Sequence, residues 1–182
     1  MAKTDARVRY TQRVLKETLL HILREKPVNK ITVKEVCELA QLNRATFYAH
    51  YSDCFALLES IENELIDDFG HSLTLSSPFN VSALVEAIYS IIERHKDACQ
   101  VLIFDGASPS VLTRMIDLAK PFSIVSWRQL LKHAGEEDLE MLYIHLSNGM
   151  MHVVTEGYGK YGRESIIRFV DRIVSSTLAL YI

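Results

Sequence analysis

The chain is poor in the residues that make turns. Seven glycines and four prolines in 182 residues are about half of the roughly 12% combined share of average usage, which disfavours an architecture of many short strands. Paired cysteines are missing: Cys37, Cys54 and Cys99 are odd in number and never stand as C-x-x-C. Neither a disulfide framework nor a structural zinc site is expected, and a reducing, cytoplasmic setting is. Long hydrophobic runs are also lacking. The start, MAKTDARVRYTQ, has no apolar stretch behind it because Lys16 and Glu17 interrupt the next residues. The longest uncharged run of the C-terminal half, Met141 to Thr155, holds His145, Ser147, Asn148 and His152 and is too short to span a bilayer. There is no G-x-S-x-G, P-loop, H-E-x-x-H or G-x-G-x-x-G, and the seven histidines do not pair at metal-ligand spacing. The expectation is a protein without catalytic activity, bound metal, cofactor or membrane partner.

What is present is apolar periodicity and an uneven charge. A hydrophobic content of 48% with 24% charged residues suits a globular, mostly helical chain. The net charge of −3 hides a division: residues 1–51 carry ten basic and five acidic side chains, +5, which leaves −8 on residues 52–182. A basic head on an acidic body suggests a polyanion as the partner of the head.

Val8, Gln12, Leu15, Leu19, Ile22 and Leu23 step by threes and fours, so residues 5–25 read as an amphipathic helix with Arg7, Arg9, Arg13 and Lys16 on its other side, ended by Pro27. Thr32 with Glu35 three residues later is a capping box, opening a helix of about two turns. Asn43 is a good cap for the next helix, RATFYAHY, and Ser52 for a longer one through Leu57, Leu58, Ile61, Leu65 and Phe69 that GHSLTLSSP breaks. From Phe79 onward the pattern is helical. Separate helices are expected over Leu84 to Ile92, after Pro109, and over Phe122 to Leu131 after Pro121, while VLIF (101–104) fits a strand by pattern alone. The stripes of the last two helices are wider than one packed face requires. An antiparallel pair forming a four-helix bundle across a two-fold axis is read there, with Leu146, Gly149, Val153, Ile166, Val170, Ile173 and Val174 at the dimer interface.

A two-turn helix, a tight link and a second short helix bearing Arg, Thr, Tyr and His have the layout of a helix-turn-helix, whose second helix enters the major groove of double-stranded DNA. Asn43 would cap a helix start able to face a phosphate. Arg44 and Thr46 would lie near base edges, and Tyr48 and His50 would bond phosphate oxygens and fix register. Phe47 and Tyr51, at i and i+4, would face inward.

The run ITVKEVCELAQLNRATFYAHYSDCFALLESI, with its T-F-Y-x-H-aromatic core at Thr46 to Tyr51, resembles the DNA-binding signature of the TetR/AcrR family of bacterial transcriptional regulators. The resemblance covers the N-terminal third; beyond Leu65 only the helix layout matches. It implies an all-α fold: a helix-turn-helix domain at 1–51, a connecting helix at 52–70, and an effector-binding and dimerisation domain at 71–182 whose last two helices pair across the dimer. It also implies that Tyr48 and His50 meet the DNA backbone while Arg44, Ala45 and Ala49 help read bases. The function implied is that of a dimeric repressor of a palindromic operator, released by a small-molecule effector. A co-regulator acting through protein contacts is the alternative. The chain departs from the family in three places. Gln41 stands where the turn usually has glycine, so it would need a strained φ or the turn would differ. Tyr51 replaces the commoner phenylalanine. Cys54 stands where a phosphate-binding lysine is common, so either DNA binding would be weaker or another lysine, such as Lys34 or Lys3, would substitute.

Two further groups are singled out. His95, Cys99, Met115, Trp127, Tyr143 and Met150 are candidates to line an effector cavity, since Trp, Tyr and Met give adaptable apolar walls with a few polar handles. Cys54, near a helix N-terminus that would lower its pKa, is a candidate redox sensor. The acidic group Glu136, Glu137, Asp138 and Glu140 reads as a solvated helix start.

Overall fold

The structure, a computed structural model, describes residues 2–75 and 81–182, with side chains from 6 to 73 and from 81 onward. The expected helix break at Ser76–Pro78 and the helical start at Phe79 lie outside the described residues. So does the side chain of Lys3.

The scarcity of turn residues is matched by nine α-helices and no strand among the described residues: α1 (Ala2–Leu23), α2 (Val33–Ala40), α3 (Arg44–Tyr48), α4 (Cys54–Leu75), α5 (Val81–Arg94), α6 (Lys96–Cys99), α7 (Ser110–Leu130), α8 (Glu136–Gly157) and α9 (Arg163–Leu178). The chain has an all-α fold. Two compact units form, one from Met1–Leu65 with Asp97–Pro109, the other from Ile66–Lys96 with Ser110–Ile182. This differs from a division at residues 51 and 70. Leu57, Leu58, Ile61 and Leu65 of α4 are buried, and Lys16 of α1 pairs with Glu64, so the first half of α4 belongs with the head.

In the first unit, α1 buries Leu15, Leu19, Ile22 and Leu23 of the expected stripe and Leu20 besides, whereas Val8 is exposed and Gln12 half-buried. Each buried side chain contributes roughly 1.5–3 kcal/mol on leaving water. The return segment brings Asp97 within 3.5 Å of Arg24. It also brings the buried Ser108 hydroxyl onto the buried Glu62 carboxylate of α4. VLIF is not a strand: Gln100–Phe104 forms a π-helical turn with Val101 and Leu102 buried.

The second unit corrects three sequence expectations. Helix α4 does not end at Gly70 but continues to Leu75. Pro121 does not separate two helices; it lies inside α7. Proline removes one backbone bond and bends a helix, yet Met115, Ala119, Ser123, Ile124 and Trp127 form one buried face on both sides of it, and that packing carries the helix through. The acidic start of α8 is bonded as well as solvated: the Gly135 amide donates to Asp138 at 2.9 Å, Arg128 pairs with Glu136, and Lys120 with Glu140. Helices α8 and α9 approach where Gly157 lies, since a Cβ there would stand 2.8 Å from Ile166 Cδ1. Arg163 at the start of α9 pairs with Glu86 and, at 3.0 Å, with Glu93 of α5.

Candidate functional site

The Thr32 hydroxyl starts α2 by accepting the Glu35 amide at 3.2 Å. The Glu35 carboxylate bonds Lys26 at 2.8 Å; that ammonium, with a smaller contribution from the Thr32 backbone, holds its carboxyl below the usual range. At the other end of α2, Gln41 takes the left-handed conformation, φ 54° and ψ 40°, as its place in the turn requires. Holding a side chain there costs roughly 1–2 kcal/mol, of which the greater backbone freedom of an unfolded glycine offsets part. Gln41→Gly is expected to raise stability by about 1 kcal/mol; chemical denaturation of the two proteins checks this, and a destabilised variant would contradict it.

Asn43 caps α3, its side-chain oxygen accepting both the Thr46 amide at 2.7 Å and the Thr46 hydroxyl at 2.9 Å. The hydroxyl assigned to base reading thus gives its hydrogen to the cap, and Thr46 is left with its methyl group and the hydroxyl lone pairs to present. The helix spans only Arg44–Tyr48, shorter than RATFYAHY, because the chain tightens after Ala49: the amides of His50 and Tyr51 both donate to the Phe47 carbonyl. Phe47 is fully buried and Tyr51 nearly so, their rings 6.0 Å apart at 60°. Arg44, Ala45, Tyr48 and Ala49 are exposed, and His50 is half-buried. The outer face of α3 therefore presents a guanidinium, a phenol and two methyl groups, with the imidazole at its edge. Lys34 is exposed 3.7 Å from Glu38 on the same face of α2.

Helix α4 is capped by Asp53 rather than Ser52. The Asp53 carboxylate accepts the Ala56 amide at 2.8 Å, and the Ser52 hydroxyl turns to Asp53. Cys54 is buried, and burial, helped by the Asp53 carboxylate, pushes its thiol up to about 11. That is opposite to the shift a thiolate sensor needs, so the redox reading of Cys54 is withdrawn. Phe55, next to it, is 57% exposed.

Of the six effector candidates, Met115, Trp127, Tyr143 and Met150 line one cavity of about 30 Å³ in the second unit, together with Phe69 and Met151. The Trp127 and Tyr143 rings lie 6.0 Å apart. The Tyr143 hydroxyl donates to the Ile116 carbonyl, in the turn of α7 just before Pro121. Burial and the Asp117 carboxylate hold the phenol neutral, well above its usual range. His95 and Cys99 do not join them. His95 is bonded to Asp68 at 2.7 Å, beside the Arg94–Asp68 pair. Cys99 is completely buried in the first unit, its thiol pushed up to about 12. Both were singled out by residue type, which does not distinguish one interior from another.

The dimer stripe is also divided. Leu146, Ile166, Val170 and Val174 are buried within the chain itself. Ile173 and Gly149 are exposed and Val153 is half-buried. Met141 and Ile144, which sequence reasoning missed, and Phe169, which it placed on the wide stripe of the last helix, are more than half exposed on the same two helices. An apolar residue out of phase with the buried stripe was the signal for them. A groove of about 120 Å³ runs past Gly149, Val153, Phe169 and Ile173.

No family model matches the chain. Over 59 residues it is 32% identical to YxbF of Bacillus subtilis (strain 168), described as an uncharacterized HTH-type transcriptional regulator; the match takes in 32% of this chain and only 16% of that protein. Among solved structures, a TetR transcriptional regulator from Streptococcus agalactiae 2603V superposes with a TM-score of 0.68 at 20% identity, over 94% of this chain and 97% of the other. The dihydroxyacetone kinase operon activator DhaS does so with a TM-score of 0.63 at 13% identity, again over 94% and 97%. The chain thus has the fold of TetR-type regulators along nearly its whole length. Among the described residues, no helix is long and apolar enough to cross a membrane.

Proposed function

We propose that the protein is a dimeric DNA-binding transcriptional regulator that represses from a palindromic operator and is released by a small-molecule effector. The observation that carries this reading is the exposed face of α3, where Arg44, Tyr48 and the two alanines stand outward on a helix fixed from behind by Phe47 and Tyr51. A helix start offers guanidinium and methyl groups to base edges, and phenol and imidazole groups suit the flanking phosphates. The basic surplus of residues 1–51 supplies the sequence-independent attraction. Two-fold pairing brings two such heads to half-sites about 34–36 Å apart or multiples of that spacing. Met141, Ile144, Phe169 and Ile173 provide the apolar surface for the pairing, and the cavity around Trp127 is the seat of the effector. Selection of bound duplexes from a random library at two salt concentrations tests the reading: recovery of a palindrome whose affinity falls with salt supports it.

Tyr48→Phe and His50→Ala are expected to weaken retention of all duplexes alike, each by a few-fold. Arg44→Ala should also relax preference at one base pair by about 1–3 kcal/mol. Equal losses for Arg44→Ala on selected and random DNA would contradict its role as a reader. The second reading, a co-regulator that works through protein contacts, is favoured by the start of α4, where a buried thiol and an exposed phenyl ring stand in place of a cation. Failure to enrich any duplex by the folded protein would move the weight to it.

A further inference from the structure

We infer that the apolar face shared by α8 and α9 pairs with a second copy of this chain only while His145 and His152 are neutral, so that mild acid separates the pair. This names the regulation of the pairing surface proposed above and rests on that reading. A helix turns about 100° per residue, which sets Glu137, Met141, Ile144, His145, Asn148 and His152 within about 100° of the circumference of α8. All six are exposed. The run from Met141 to Thr155 contains no Asp, Glu, Lys or Arg, and Tyr143 within it is buried. The two imidazoles are therefore the only exposed groups of that run able to become charged.

Their surroundings offer little to hold such a charge. His145 lies in the groove of about 120 Å³, to which α9 contributes Phe169, Val170, Ile173 and Val174. His152 lies in a second groove, of about 540 Å³, to which α9 contributes Ser165, Ile166 and Phe169. The charged groups of that groove, Glu156 and Lys160, pair with each other at 3.2 Å, and its other titratable group is the Tyr161 phenol. Asp171 and Arg172 adjoin Ile173 on α9 but line neither groove. From α7, Lys120 reaches α8 at Glu140 and Arg128 at Glu136, and both pairs are already made. Among the described residues neither imidazole has a hydrogen-bond or ion-pair partner.

Charge points to the second copy as the occupant. Helix α8 carries Glu136, Glu137, Asp138, Glu140 and Glu156 and no lysine or arginine, whereas α9 carries three arginines against Glu164 and Asp171. An acidic helix beside a basic one complements itself when turned about a two-fold axis, α8 meeting α9 of the other copy. The two grooves share Val153 and Phe169, so they form one continuous surface. Pairing takes the imidazoles out of water beside apolar side chains, which disfavours their charged form. An ordinary histidine titrates near about 6.5. Above that pH pairing is unhindered; below it the separated chains take up protons that the pair excludes, and association weakens as pH falls. Each excluded imidazole costs association about tenfold at one pH unit below.

The test is sedimentation equilibrium of the full chain at pH 7.5, 6.0 and 5.5, with far-ultraviolet circular dichroism to follow the fold, on the parent and on the double variant His145→Gln, His152→Gln. Both proteins are expected to be dimers at pH 7.5. The parent's Kd should rise on the order of a hundredfold or more by pH 5.5 with its helical signal unchanged, while the double variant stays dimeric throughout. The point at pH 6.0, where the parent should already weaken about tenfold, decides the matter if helix is lost at pH 5.5. Three results would overturn the inference: a parent Kd independent of pH, tighter association in acid, as carboxylates of the second copy against the imidazoles would produce, or a weakening that the double variant shares. A folded monomer at pH 7.5 removes the dimer reading itself, and the inference with it, whereas a dimer indifferent to pH removes the inference alone.

Discussion

Phe47→Ala is expected to cost about 3–5 kcal/mol and to abolish DNA retention, although the side chain faces away from any DNA. Helix α3 has five residues, far fewer than the dozen or so that an isolated helix needs even to be marginal in water, so its conformation depends on packing. Its anchor is the fully buried Phe47 ring, which meets Tyr48 edge-on at 5.7 Å and Tyr51 at 6.0 Å. The loss is comparable to a large part of the 5–15 kcal/mol that holds a typical domain folded. The Asn43 cap, worth about 1 kcal/mol, cannot replace it. Phe47→Leu keeps most of the buried volume and should lose much less stability while still retaining DNA. Circular dichroism during denaturation, with DNA retention alongside, reads both. A Phe47→Ala protein that retains DNA would mean that the caps alone position α3.

Ser108→Ala should lower stability by about 1.5–3 kcal/mol for the loss of a hydrogen bond to a charged group. Glu62 and Ser108 are 9% and 5% exposed, so water compensates poorly when the hydroxyl is removed. The bond joins α4 to the far end of Asp97–Pro109, the segment that returns to the first unit. Ser108→Thr restores the hydroxyl and is expected to recover most of the loss. Denaturant midpoints of the three proteins decide the matter: equal midpoints for Ser108→Ala and the parent would show that the carboxylate draws its stabilisation from other partners.

The first third of the chain was legible because its signals are local. Caps lie three residues from what they cap, as Thr32 does from Glu35 and Asn43 from Thr46, and the positive φ of Gln41 was expected because the resembled family usually has glycine there. Asp53 displaced Ser52 because both can cap and only the geometry chooses between them. The rest depends on long-range packing. Nothing near Pro121 in sequence tells whether a buried face will carry α7 through it. The stripes on α8 and α9 were found, but a period of 3.6 marks Val170 and Phe169 alike as apolar. Only the packed structure puts the first inside and leaves the second outside. Cys99 and Trp127 looked alike as cavity residues until the chain divided into two units.

The two alanines on the outer face of α3 separate inheritance of the fold from inheritance of its target. Ala45 and Ala49 are exposed, so their methyl groups contribute little to the interior, which depends on the neighbouring Phe47 and Tyr51. If α3 enters the groove as proposed, replacement at either position would change what meets the groove while leaving the helix seated. A lineage carrying this head could then drift to new recognition sequences by single substitutions at two codons, without first acquiring a stabilising mutation to tolerate them.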